Sequence, residues 1–233
     1  MNPVGRRFIG LVIGLFLSGG VAWAENVPLM TGKGHLGVGL EAELSSRDMK
    51  LDGQSERERI TRQGIQLTYG LMDQLDLYAT AGLGNITFEE ANLDSRMRPY
   101  FGVGFRSSFP LQGGNFAGLS AQYQFGKVST FDENNVSVPV EDNWTETQAR
   151  LFLGTKDLLR DPEPDLRVYA GMRVSTRNDK LAPQNQPSMK ATQDSSFGGM
   201  IGLDFSDRSV FRINAEIGAG DSNSIRVLLG LLF

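Results

Sequence analysis

Eleven charged residues stand singly among small and apolar neighbours, and they are the side chains most able to do chemistry. Glu41, Glu43, Asp76, Asp204 and Glu216 are acids; Arg106, Arg150, Arg167, Arg173, Arg212 and Arg226 are bases. Rings of such charges at a constriction select the solutes that pass a pore. Acids and guanidiniums that face one another instead form an internal salt-bridge network, because a charge held away from water without a partner is costly. Glu41 or Glu216 against Arg150 are the pairs expected at mid-depth. Which arrangement holds depends on the space that the surrounding elements enclose.

Other chemistry finds little support. The single histidine, His35, opens the first patterned segment. It is expected to be a rim residue at the end opposite the long connections, where it cannot serve as the base of a Ser–His or Asp–His mechanism. The acidic run Asp132-Glu133-Asn134-Asn135, followed by Glu141-Asp142, lacks the fixed ligand spacing of a calcium loop. It reads as a solvated loop. No metal, cofactor or enzymatic reaction is expected.

The elements that carry the charges alternate with period two, the mark of strands. In His35 to Leu44, the residues Leu36, Val38, Leu40, Ala42 and Leu44 share one face, opposite Gly37, Gly39, Glu41 and Glu43. Leu75, Leu77, Ala79, Ala81 and Leu83 repeat the pattern against Asp76, Tyr78, Thr80, Gly82 and Gly84. The last segment places Ile225, Val227, Leu229, Leu231 and Phe233 in one unbroken apolar row. Ten such segments are found, with eight or twelve possible if a hairpin has been merged or split. The polar face is small enough to crowd a lumen, and the apolar rows carry aromatics near their ends (Tyr69, Phe101, Phe105, Tyr123, Phe125, Phe205, Phe211, Phe233). In a soluble sandwich or barrel the apolar face would point inward and charges outward. Here the reverse is expected: an all-β, closed, antiparallel transmembrane barrel with apolar rows toward lipid.

The N-terminus fits that destination. Arg6 and Arg7 precede an apolar run, Phe8 to Leu17, and Ala22-Trp23-Ala24 is a small-x-small cleavage site before Glu25. The run is shorter than the roughly 20 residues of a spanning helix, so residues 1–24 read as a cleaved signal peptide and 25–233 as one barrel domain. Losing Arg6 and Arg7 takes the formal net charge from −4 to −6. With no basic cluster, nucleic acid is not an expected partner. Cys is absent, so stability must come from something other than disulfides.

The segment Tyr69-Gly70-Leu71-Met72-Asp73-Gln74-Leu75-Asp76-Leu77-Tyr78 resembles the strand-turn-strand hairpins of small Gram-negative outer-membrane β-barrels. The terminal strand, with Val227, Leu229, Leu231 and Phe233, is similar to their C-terminal insertion signal. The resemblance implies the cell outer membrane as location. It also implies lipid, lipopolysaccharide and the outer-membrane assembly machinery as partners, and a monomer.

A barrel near eight strands is just filled by its own side chains. The expected arrangement is therefore a network plugging the lumen, formed by Glu41, Glu43, Asp76, Arg106, Arg150, Arg173, Arg212, Glu216 and Arg226. Leu228 and Leu232, on the lumen face of the last strand, add to the crowding. The protein is expected to be a structural or surface-interaction barrel, with a narrow solute channel as the alternative. Connections at 46–56, 89–95, 129–145 and 177–195 are expected to be polar outer loops, and those at 72–74, 110–115 and 206–209 tight inner turns.

Overall fold

Alternating side chains build one sheet that closes on itself. The structure, a computed structural model, describes residues 30–133, 136–159, 164–183, 187–207 and 211–233. The expected leader, residues 1–24, lies outside the described residues. In chain order the strands are β1 (Leu36–Leu51), β2 (Gln54–Met72), β3 (Leu75–Phe88), β4 (Leu93–Ser95), β5 (Arg98–Pro110), β6 (Phe116–Val128) and β7 (Phe131–Glu133). They continue as β8 (Val136–Val138), β9 (Val140–Gly154), β10 (Asp165–Pro183), β11 (Met189–Gln193), β12 (Phe197–Asp207), β13 (Phe211–Ala219) and β14 (Asn223–Leu232).

Ten of these wall the barrel: β1, β2, β3, β5, β6, β9, β10, β12, β13 and β14, each antiparallel to the next. Closure comes from β14 pairing back to β1, from Gly37↔Leu232 to Ser46↔Asn223. Phe233 completes the seam, its N–H donating to the Leu36 carbonyl at 2.8 Å and its carbonyl accepting from the Leu36 N–H at 3.1 Å. A closed ring has no free edge along its wall, so every backbone group there can be satisfied without water. Among the described residues, no helix is long and apolar enough to cross a membrane.

The wall is inverted relative to a soluble barrel. Outward Leu40, Leu153, Ile201 and Ile217 are each 61–63% exposed, whereas inward Glu41, Arg62 and Asp76 are 0–4% exposed. Outward Phe101, Phe125 and Tyr123 cluster toward one end, with ring centroids 5.9–6.0 Å apart along the chain of contacts. Tyr69, Phe211 and Phe233 are exposed toward the other end. Inward rings are accommodated by glycines across the strand. Trp144 is paired with Gly126, Phe152 with Gly118, Phe116 with Gly154 and Tyr169 with Gly202. A Cβ on Gly118 would fall 2.3 Å from the Phe152 ring, so the glycine is required by packing.

The expected outer loops are the main correction. Residues 46–56 are a continuation of β1 and β2, joined by a two-residue turn at Asp52-Gly53 with φ of 48° and 89°. Positive φ at both positions gives the turn that matches strand twist. Within 177–195, residues 177–183 are the outer arm of β10 and 189–193 are β11, and 140–145 belong to β9. β11 pairs with β10 on one side and with β1 on the other, from Met49↔Gln193 to Leu51↔Ala191. It thereby bridges the outer wall above the shorter β12, β13 and β14. The barrel thus rises into a folded β-head, roughly 15 Å beyond Leu44 for seven residues of tilted strand.

In the head the polarity reverses again. On β1 the apolar positions switch from outward Leu40 and Leu44 to inward Met49 and Leu51, while Asp48 and Lys50 turn outward. On β2 they switch from outward Leu67 and Ile65 to inward Ile60, with Arg59 and Arg57 outside. On β3, Leu83 faces out and Ile86 and Phe88 face in. Each strand is therefore membrane-like below and soluble-like above. The crossover marks the outer edge of the apolar belt.

Candidate functional site

The lumen is filled in layers, each set by inward positions of neighbouring strands. The outermost layer is mainly apolar. Met49, Ile60, Phe88, Phe131, Leu181 and Ala191 are 0–1% exposed and pack into one cluster with Trp144 and Tyr100. Burying the larger of these side chains contributes about 1.5–3 kcal/mol each to the packing of the head.

Beneath this lid lies a layer of buried charge. Arg62 Nη2 is 2.7 Å from Glu146 Oε2, and Arg47 Nη2 is 3.0 Å from Glu146 Oε1. Arg177 Nη2 lies 2.7 Å from both Glu58 Oε1 and Asp179 Oδ1. Arg62 also donates to Gln124 Oε1 at 2.7 Å and stands 3.6 Å from Glu43. The guanidiniums of Arg62 and Arg177 lie over the Trp144 ring at 4.9 and 4.5 Å. Cation–π contacts of this kind gain strength when desolvated.

Mid-depth pairs follow. Arg226 forks onto Glu41 at 2.9 and 3.1 Å and reaches Gln66 at 3.3 Å. Arg150 is 3.5 Å from Glu216, which also accepts from the Tyr169 hydroxyl at 3.3 Å. Between them remains a void of about 30 Å³, lined by Tyr78, Arg150 and Arg226 among others. That is room for a few water molecules at most. Arg173 is held by the short outer turn between β13 and β14: its Nε donates to Asp221 at 2.8 Å and its Nη1 to Ser224 Oγ at 2.8 Å.

The inner mouth is occupied as well. Thr31 N and Oγ1 both donate to Asp76 Oδ2 at 3.0 Å, and Arg106 Nη2 stands 3.2 Å from the same oxygen. Gly34 N–H donates to the Gly70 carbonyl at 2.7 Å. The segment lies so close that a Cβ on Gly70 would meet the Gly32 backbone at 1.8 Å. Arg212 Nε donates to Asp204 at 2.7 Å. His35 Nδ1 sits 3.2 Å from the Phe233 carbonyl at the rim.

The residues singled out from sequence all line the lumen, but not as one network. Glu216 meets Arg150 as expected; Glu41 meets Arg226 instead. Glu43 joins the upper layer through Arg62, Asp76 and Arg106 close the inner mouth, and Arg173 belongs to the Asp221 turn. Sequence reading missed Arg47, Glu58, Arg62, Glu146, Arg177 and Asp179, because it assigned most of their neighbourhood to loops. Asp142, expected in a solvated loop, is 0% exposed. The signal was present in the parity switch of apolar residues along β1, β2, β3, β9 and β10. Among the described residues, no group of three or more His, Asp or Glu is arranged to hold a metal ion.

A closed ring with lipid-facing leucines and isoleucines outside and ion pairs inside has one physical setting. The chain is a transmembrane β-barrel of the outer-membrane type.

No family model matches the chain, and no curated protein matches it. Solved outer-membrane barrels resemble it at the level of fold. The translocator domain of the autotransporter NalP from Neisseria meningitidis is 14% identical with a TM-score of 0.45, covering 98% of this chain and 94% of that one. OprG from Pseudomonas aeruginosa is 14% identical with a TM-score of 0.40, over 88% and 99% of the two chains. Ail of Yersinia pestis is 12% identical with a TM-score of 0.33, over 86% and 99%.

Proposed function

We propose that this outer-membrane barrel is a non-conducting structural and surface-interaction protein that presents a rigid β-head outside the cell. The observation that carries this reading is the filling of the lumen at every level. An apolar lid, a layer of buried ion pairs, mid-depth pairs around a small void, and an inner mouth occupied by Thr31 bring side chains together across the lumen at each depth. A solute channel needs binding weak enough to leave and a wet route. The head also differs from a set of loops, since its strands fix an exposed polar surface that includes Asp48, Lys50, Arg57 and Arg59. Such a surface suits contacts with lipopolysaccharide or with another cell, and a barrel closed along its wall suits a monomer.

Liposome swelling with the purified protein tests the reading. Vesicles carrying it should resist swelling in isosmotic small sugars and amino acids as protein-free vesicles do. Uptake of any of these solutes at porin-like rates would favour the channel.

A further inference from the structure

The charged layer under the lid does not balance. Five buried carboxylates, those of Glu43, Glu58, Asp142, Glu146 and Asp179, share it with the guanidiniums of Arg47, Arg62 and Arg177. Arg98 of β5, its Nε buried at the level of Arg62 across Gly84, is a further guanidinium at this depth, so one formal negative charge is left over beneath the apolar cap. The other three guanidiniums are engaged elsewhere: Arg47 and Arg62 with Glu146, Arg177 with Glu58 and Asp179. Among the described residues no ion pair reaches Asp142; its hydrogen-bonding neighbours are the Asp179 carboxyl and the Lys180 backbone N–H. Asp142 and Asp179 are diagonal neighbours on the inner face of β9 and β10, through the pairs Leu181↔Asp142 and Asp179↔Trp144.

We propose that Asp142 and Asp179 form a proton-binding acid pair that holds the β-head shut when protonated and loosens its β9–β10–β11 side when the proton leaves. An uncompensated carboxylate in a dry site must either take up a proton or admit water. The groups facing Asp142 explain why protonation is the stable answer. From β10 come Arg177, already shared, Asp179 and the Lys180 backbone N–H; from β2 comes Glu58, a further negative charge; β6 contributes apolar Val128, with Arg98 of β5 on its far side, and β11 contributes Ala191 beside Asp179. Burial pushes the Asp142 carboxyl up to about 6, and burial raises Asp179 as well. Protons have a route in. Where β1 changes partner from β14 to β11, a polar opening of about 150 Å³ lies in the outer wall, lined by Arg47, Asp48, Asp194 and Asp221. Arg47 belongs to both the opening and the buried layer.

The inference goes beyond the filled-lumen reading and is tested without reference to conductance. Trp144 is the built-in reporter, since its ring stacks on Arg177 beside the pair. The other tryptophan, Trp23, falls in the expected leader. Emission and acrylamide quenching of the folded barrel in lipid vesicles are followed from pH 4 to 8. The expected result is a red shift and a rise in quenching as pH increases, with a midpoint near 6. Asp142→Asn, isosteric with the neutral acid, should abolish the transition and keep the low-pH emission throughout; Asp179→Asn should abolish or displace it. His35→Gln removes the only histidine and should leave the curve unchanged. A flat wild-type curve, or one that survives intact in both acid variants, would overturn the proposal. So would a midpoint that follows added calcium or EDTA, which would make the counter-ion a metal.

Discussion

Glu146→Gln is the sharpest perturbation of the buried layer, because one carboxylate there is shared by two arginines. Its oxygens lie 2.7 Å from Arg62 and 3.0 Å from Arg47, with Arg177 at 3.6 Å, and all these side chains are 0–1% exposed. Glutamine keeps the shape and one acceptor but removes the charge. A hydrogen bond to a charged group contributes about 1.5–3 kcal/mol against about 0.5–1.5 kcal/mol for a neutral one. Demoting both close contacts should therefore cost about 2–3 kcal/mol, with about 3–5 kcal/mol as the ceiling for breaking a buried pair. The internal control is Glu141→Gln on the same strand, where Lys127 lies 2.9 Å away but both side chains are 54% exposed. Solvent screening should hold that change within about 0.5 kcal/mol. Urea unfolding of the barrel in lipid vesicles, read by the shift of the folded band on unheated gels, gives both numbers. Equal effects for the two variants would refute the layered interior. So would a Glu146→Gln barrel as stable as the wild type.

The neighbouring acid should behave with the opposite sign. The Asp142 carboxyl sits near 6 in the fold against an ordinary 3.8, so between those values the folded state binds a proton that the unfolded chain has released. Its stabilising contribution is complete below about pH 4 and is lost as pH rises through about 6. Asp142→Asn should flatten the pH dependence of unfolding and raise stability at pH 8 by roughly 2–3 kcal/mol; a steeper profile would contradict the assignment. Leu40→Arg, at a position 62% exposed in the apolar belt, should cost about 2–4 kcal/mol in vesicle unfolding, whereas the same charge at Lys50 is already native. Gly202→Ala would place a Cβ 2.1 Å from the Tyr169 ring and should lower the folded yield, with partial rescue by a second change, Tyr169→Leu.

Much of this architecture is legible in the sequence. The apolar rows of 36–44, 75–83 and 225–233 specify lipid-facing strands, and ten segments give the observed barrel. The head was hidden for a physical reason. A strand leaving the bilayer meets water outside and must fill itself inside, so its apolar residues change face. Leu44 gives way to Met49, Ile65 to Ile60, and Val174 to Leu181, and period two breaks at each crossover. A search for one continuous alternation reads that break as a loop. The charged residues at the crossover, Arg47, Arg62 and Arg177, then look solvent-exposed when they are among the most buried side chains in the protein. Pairing was hidden differently. Glu41 and Arg226 are 185 residues apart and meet only because β14 closes onto β1 in one register.

A lumen filled from end to end should carry no current. Single-channel recording of the purified protein in a planar lipid bilayer tests it most directly, at neutral pH and across both polarities of applied voltage. The filled interior predicts a silent membrane after confirmed insertion. Steady, reproducible conductance steps from the wild-type barrel would contradict it.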